Sequence, residues 1–203
     1  MDTANVKKRY DRLARFYDLM EAPLERLRFA SWRIKLKDRI KGPHVLEVGV
    51  GTGKNFPFYP SDVNLTAIDF SPWMLAKSKK RASGLAIRVE LLEMDIQYLS
   101  FAEDTFDTIF ATFVFCSVPD PIRGLQELRR VCKASGRLLL LEHMRPEGQL
   151  RGLLFDIMNP IIVRMMGANI NRKTIENIEK AGWKICLEER LSSDVVRWIE
   201  AEP

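Results

Sequence analysis

Seven consecutive residues, Glu47-Val48-Gly49-Val50-Gly51-Thr52-Gly53, constrain this chain more than any other stretch. They close a short apolar run, His44-Val45-Leu46, and place three glycines at alternate positions. Glycine has no Cβ, so a strand ending this way can turn sharply and aim its N–H groups at a ligand held close to the backbone. The neighbours count against two familiar phosphate-binding patterns. A P-loop requires a glycine five residues before Gly53-Lys54 and a Ser or Thr after it, but Val48 and Asn55 stand there. The dinucleotide pattern G-x-G-x-x-G/A fits Gly49 and Gly51 but reaches Lys54, where close helix–strand packing calls for a small residue.

Beyond Gly42-Pro43, apolar runs alternate with amphipathic ones. The spacing predicts strands at 44–49, 64–69, 86–94, 106–113, 137–142, 184–191 and 195–201. It predicts helices at 72–82 and 121–133, a long helical region after 150 and a short helix at 172–181. Strands separated by helices imply right-handed crossovers and a parallel sheet covered on both faces. The expected fold is therefore α/β, a Rossmann-like doubly wound sheet of seven mostly parallel strands with helices on both faces. In such a sheet ligands bind at the carboxyl ends of the strands.

At 203 residues, with 46% hydrophobic and 29% charged residues, the chain is expected to form one structural domain, 43–203, preceded by a helical lid over 1–42. The most apolar segment, Leu153 to Met166, is broken by Asp156, Asn159, Pro160 and Arg164, so no membrane span is expected. The charged N-terminus lacks the apolar core of a signal peptide. Three scattered cysteines and two histidines argue against a disulfide framework and a metal site, and point to a reducing cytoplasm.

The net charge of +5 is concentrated at one end. Residues 1–41 carry twelve Lys/Arg against six Asp/Glu, whereas the rest carry twenty against twenty-one. Val6, Tyr10, Leu13, Phe16 or Tyr17, and Met20 recur at helical spacing among Lys7, Lys8, Arg9, Arg12 and Arg15. Such a basic amphipathic helix can lie peripherally on an anionic membrane or pack one face on the domain. Nucleic acid is not an expected partner, because the domain itself is not basic.

Candidate chemistry lies at the strand ends. Asp69, eighteen residues after Gly51, can accept both hydroxyls of a ribose, and Ser71-Pro72 can start the next helix without it. Asp95 offers an acceptor for an adenine amino group, or is an exposed loop carboxylate. Phe113 to Val118 would line the space between cofactor and acceptor, with one of Phe113 and Phe115 expected in the core. Nothing near Cys116 in sequence supplies a base, so it is not expected to be a nucleophile.

Together, Glu47 to Gly53, Asp69 with Ser71-Pro72-Trp73-Met74-Leu75, Met94-Asp95, Asp104 to Asp107, Phe115 to Val118 and Leu141-Glu142-His143 resemble the successive motifs of the class I S-adenosylmethionine (SAM) methyltransferases. Tyr10-Asp11 and Phe16-Tyr17-Asp18 resemble the phosphatidylethanolamine and ubiquinone/menaquinone methyltransferase branch. The run Leu46–Tyr59, Cys116-Ser117-Val118, Glu142-His143 and Asn169-Ile170-Asn171 are similar to animal membrane-associated methyltransferase-like proteins that act on thiols. The resemblance implies SAM as cofactor and S-adenosylhomocysteine as product. It implies that Gly49, Gly51 and Gly53 cradle the methionine end, that Asp69 holds the ribose, and that Phe70 and Met74 cover the adenine, bordered by Asp95 and Ile96. It also draws Glu47, Phe115 and Cys116 into cofactor contact and sets Tyr10 or Tyr17 over the cofactor as part of the lid. Val50 stands where the family often has Cys, Ala or Pro, a change of little weight if the backbone makes the contact.

SAM carries an activated methyl group, so the protein's task is to align the acceptor and exclude water. An amine acceptor must be neutral to attack, and His143, Glu142 or Tyr17 are the candidates for taking its proton. The apolar, methionine-rich segment 153–166 suits a lipophilic acceptor. The leading expectation is N-methylation of phosphatidylethanolamine-type headgroups at a membrane surface. Quinone-ring C-methylation, small-thiol S-methylation and a SAM-binding regulatory protein without turnover are the alternatives.

Overall fold

The computed structural model describes residues 29–203. Most of the expected lid, including Tyr10 and Tyr17, lies outside the described residues. The described chain opens with two short helical segments, α1 (Ala30–Arg33) and α2 (Lys35–Arg39), followed by β1 (His44–Val48) and β2 (Asn64–Asp69). Then come α3 (Pro72–Gly84), β3 (Glu90–Glu93), β4 (Phe106–Thr112), α4 (Pro121–Val131) and β5 (Cys132–His143). The chain continues through α5 (Gln149–Met166), α6 (Thr174–Lys180), β6 (Lys184–Ser192) and β7 (Val196–Glu202).

The strands form one seven-stranded sheet in the order β3-β2-β1-β4-β5-β7-β6. The first five in that order are parallel, and β7 runs antiparallel between β5 and β6. Strand order reverses between β1 and β4, which opens a crevice at their carboxyl ends.

The period-two alternation divides the core. Leu46, Val48, Ile109, Leu138 and Leu140 face α4 and α6 through Leu125, Leu128 and Ile178. Val45, Phe110, Leu139, Leu141 and Trp198 face the other side, against Leu36 and Ile40 at α2 and Ala82 of α3. The central strands β1, β4 and β5 are thereby buried on both faces, which is why their middles read as near-continuous apolar runs.

Helix starts follow local chemistry. Ser71 caps α3 by accepting the Met74 N–H at 3.2 Å, and Asp120 caps α4 by accepting the Arg123 N–H at 3.0 Å. A proline follows each cap, where the missing N–H costs nothing.

Some boundaries differ from expectation. The helix expected to reach 133 stops at Val131, because Cys132 already pairs with Phe106 in the β4–β5 ladder. A register shift between Phe106 and Thr108 absorbs the polar stretch before Arg137. The strand expected over 86–94 is a strand only at Glu90–Glu93, since Ala86, at φ 54°, still belongs to the turn after α3.

Candidate cofactor-binding site

The glycine run leaves β1 with Gly49, Gly51 and Gly53 at φ 65°, 53° and 77°, the left-handed region that glycine enters without cost. The three are not equivalent. A Cβ on Gly49 would stand 2.5 Å from Val114 Cγ2, and one on Gly53 would stand 2.5 Å from the Phe56 ring. At Gly51 the nearest heavy atom would be Gly49 O, at 4.0 Å. Gly49 and Gly53 are thus small because the protein packs on them, whereas Gly51 borders open space.

Beneath the loop lies a buried polar floor. Arg33 Nη1 donates to Asn55 Oδ1 at 2.5 Å and to Thr112 Oγ1 at 2.9 Å. Asn55 Nδ2 donates to Glu47 Oε1 at 2.6 Å, and the Tyr59 hydroxyl donates to Glu47 Oε2. Burial pushes the Glu47 carboxyl up to about 7, against the pull of these donors. Because Glu47 is odd in register with Leu46 and Val48, it points to the α2 side of the sheet, away from the crevice.

The crevice itself is a cleft of about 710 Å³, counting its open mouth. One wall is Gly49, Gly51 and Asp69, whose carboxylate accepts the Gly51 N–H (2.9 Å) and the Ser71 N–H (2.9 Å). Ser71 does the helix capping, so Asp69 is positioned by the backbone on either side of it. Phe70, Met74, Met94, Asp95 and Ile96 form the next wall. Asp95 closes its own loop by accepting the Gln97 N–H at 2.9 Å.

Thr112, Phe113, Val114, Ser117, Val118 and Pro119, with Val48 and Ile68, complete the lining. Phe113 is a non-glycine residue at φ 58°. It is held there because three successive N–H groups turn toward β5: Phe113 donates to Leu141 O at 2.8 Å, Val114 and Phe115 to Glu142 Oε1 at 2.7 and 3.1 Å. Glu142 is fully buried, and burial pushes its carboxyl up to about 8.

Of the residues singled out from the sequence, Gly49, Gly51, Asp69, Phe70, Met74, Asp95 and Ile96 meet on the cleft wall. Glu47, Gly53, Phe115, Cys116, Glu142 and His143 do not line it. Phe115 and Cys116 are buried, Phe115 in the core beside α4. The His143 ring lies behind Phe113, 6.4 Å between centroids, and its burial holds the imidazole below its ordinary value. Arg33, Asn55, Tyr59 and Thr112 were not singled out. Only Asn55, two residues after the last glycine, carries a local signal; Arg33 reaches the loop from a separate helix.

Gly51→Ala is expected to weaken SAM binding about ten- to hundredfold, because its methyl meets no protein atom closer than 4.0 Å and occupies ligand space. Its left-handed φ adds a cost of roughly 1–2 kcal/mol, or a few degrees in Tm. Calorimetric titration beside a thermal melt separates the two effects. Unchanged affinity would remove the glycine loop from the cofactor site.

A protein family described as the methyltransferase domain matches residues 46–140, a span that begins within β1, ends within β5 and contains the cleft lining. Over 113 residues the chain is 42% identical to a phosphatidylethanolamine N-methyltransferase of Cereibacter sphaeroides, covering 54% of this chain and 56% of that protein. It is 32% identical to a thiol S-methyltransferase of Rattus norvegicus, covering 83% and 70% of the two chains. It is 34% identical to a ubiquinone/menaquinone biosynthesis C-methyltransferase of Geotalea daltonii, covering 70% and 64%. Among solved structures, a SAM-dependent methyltransferase from Thermotoga maritima superposes with a TM-score of 0.70 at 19% identity, over 96% of this chain and 98% of that one. The glycine cradle, the carboxylate at the end of β2 and the switch-point cleft lie inside the matched span: the chain belongs to the SAM-dependent methyltransferase family.

Proposed function

We propose that this chain methylates the amine of a phosphatidylethanolamine-type lipid. The residues present fit the cofactor: Gly51 leaves room for a close approach, Asp69 presents carboxylate oxygens beside it, and Phe70, Met74 and Ile96 offer an apolar slot for adenine. SAM bound there supplies a sulfonium-activated methyl group. Gly49 and Gly51 would take its methionine end, Asp69 the ribose hydroxyls and Asp95 the adenine edge.

The observation that carries the acceptor reading is the charge pattern of the cleft. Among the described lining residues the ionisable side chains are Asp69 and Asp95, and the wall beyond them is Phe113, Val114, Val118 and Pro119. An apolar wall disfavours whichever form of a group is charged. It therefore favours the neutral, nucleophilic form of an amine. A thiol or quinol is pushed the other way, away from the thiolate or phenolate that attacks; the sulfonium of bound SAM offsets this in part, but no cationic side chain among the described lining residues adds to it. Phe113 and Val118 exclude water from the reacting atoms, and the amine can lose its proton to solvent before entering. Neither His143 nor Glu142 is required as a base.

The test is methyl transfer from labelled SAM into a total lipid extract, with added thiols in a parallel reaction. Label is expected in mono- and dimethylated phosphatidylethanolamine. Label in quinones, or only in the thiols, overturns the acceptor. SAM binding without transfer to any of the three points to a regulatory protein.

A further inference from the structure

Helix α5 presents its apolar residues to solvent. Leu150, Leu153, Leu154, Ile157, Ile161 and Met165 recur at steps of mostly three or four, and each is more than half exposed, Leu150 at 85%. A helix packed in the usual way does the reverse, and monomeric surfaces seldom carry so continuous an apolar face. The helix is tethered instead through polar groups. Asp156 pairs with Arg145 at 2.8 Å and accepts Asn171 Nδ2 at 3.0 Å. Asn159 Oδ1 accepts the Ile170 N–H at 2.9 Å, and Asn159 Nδ2 donates to Asn169 at 3.2 Å. Asn169 in turn donates to Cys116 O, one residue from cleft-lining Ser117. The helix that carries the apolar stripe is thus linked, through Asn159 and Asn169, to the segment whose next residue, Ser117, lines the cleft.

We propose that this face of α5 docks on an anionic phospholipid bilayer, with the helix lying in the boundary between headgroups and acyl chains near the cleft mouth; the proposal rests on the lipid-acceptor reading. Charge selects this occupant. Arg164 is exposed near the end of this helix; the helix's one acid, Asp156, is engaged by Arg145, and Arg151, also exposed, reaches Asp194 at 2.7 Å. In sequence, residues 1–41 carry a net charge of +6, twelve cations less six anions. A helix of eighteen residues is about 27 Å long, and no helix among the described residues is long and apolar enough to cross the membrane. Surface attachment by a buried apolar face with basic side chains at headgroup level is the mode that fits.

The experiment is flotation of the full chain with vesicles of phosphatidylglycerol and phosphatidylcholine, or of phosphatidylcholine alone. It is run beside a triple variant, L154Q/I157Q/I161Q, whose glutamines keep helix propensity. Wild type is expected to float with the anionic vesicles. The variant is expected to partition about 100-fold less, with unchanged S-adenosylhomocysteine affinity and Tm. Equal flotation of the two proteins overturns the proposal. So does a wild-type dimer that the variant converts to monomer, which would assign the face to a second copy. A variant Tm lower by about 10 °C or more also overturns it, because the stripe would then pack on the chain's own residues. Vesicle binding lost in the variant, with no lipid labelled by SAM, leaves the docking face standing and overturns the acceptor alone.

Discussion

Asp69→Ala is expected to lower SAM affinity by about 10²–10⁴-fold, the largest loss from any one substitution in the cleft. A hydrogen bond to a charged group contributes about 1.5–3 kcal/mol, and a carboxylate facing a ribose can accept two. The side chain does a second job: it accepts the N–H groups of Gly51 and Ser71, so its removal also loosens the glycine loop against the start of α3. Calorimetric titration with SAM and with S-adenosylhomocysteine should therefore show both ligands weakened alike, since both carry the ribose. Asp69→Asn keeps one acceptor oxygen and should fall about tenfold short of wild type. If Asp69→Ala binds either ligand normally, the cofactor does not lie against β2.

Glu142→Ala should cost about 2–5 kcal/mol of stability, lowering Tm by roughly 5–15 °C, because the Val114 and Phe115 N–H groups lose their acceptor in a buried setting. Glu142→Gln keeps an acceptor oxygen and should stay within about 1 kcal/mol of wild type, with methyl transfer within about threefold. A catalytic base would behave otherwise, failing as Gln. The same carboxyl gives stability a pH slope. Its folded value of about 8 lies above the ordinary 4.5, so between those limits the folded state binds more protons than the unfolded one. Its contribution is complete below pH 4.5 and is lost as pH rises through 8. Glu47, at about 7, acts in the same direction. Tm should therefore fall from pH 5.5 to 8.5, and less steeply in Glu142→Gln. A slope no steeper in wild type than in Glu142→Gln would show the Glu142 carboxyl ionised in the fold; His143, held low by burial, contributes a slope of the opposite sign in both proteins.

How much of this was legible in the sequence depends on whether a residue's position is set locally. The glycine run, Asp69 and the Ser71-Pro72 cap are short-range patterns, and the strands around them follow from apolar alternation. Phe113 shows where that reading stops. Alternation carried past Thr112 assigns Phe113 and Phe115 by parity, but the left-handed φ of Phe113 ends the alternation. Phe113 then turns to the cleft and Phe115 to the core. Two Glu142 bonds to a segment twenty-seven and twenty-eight residues earlier help hold that turn, and no local window contains them. Arg33 is similar: it meets Thr112 across seventy-nine residues. Glu47 sits in the recognised motif, yet its register sends it beneath the sheet, where it supports the loop from below.

The position of β7 has a consequence for how the molecule is made. Residues Val196–Glu202 come after the other six strands of the sheet in sequence but lie inside it, pairing with β5 on one side and β6 on the other. During synthesis, β6 emerges first and has no sheet partner until β7 follows. Until then, β5 presents the unpaired edge of Leu138–Leu141, four apolar residues in a row. A nascent chain stalled near residue 195 would carry an open, aggregation-prone edge beside an otherwise formed parallel half. Shielding of that edge by a chaperone is most needed in the interval before β7 is released.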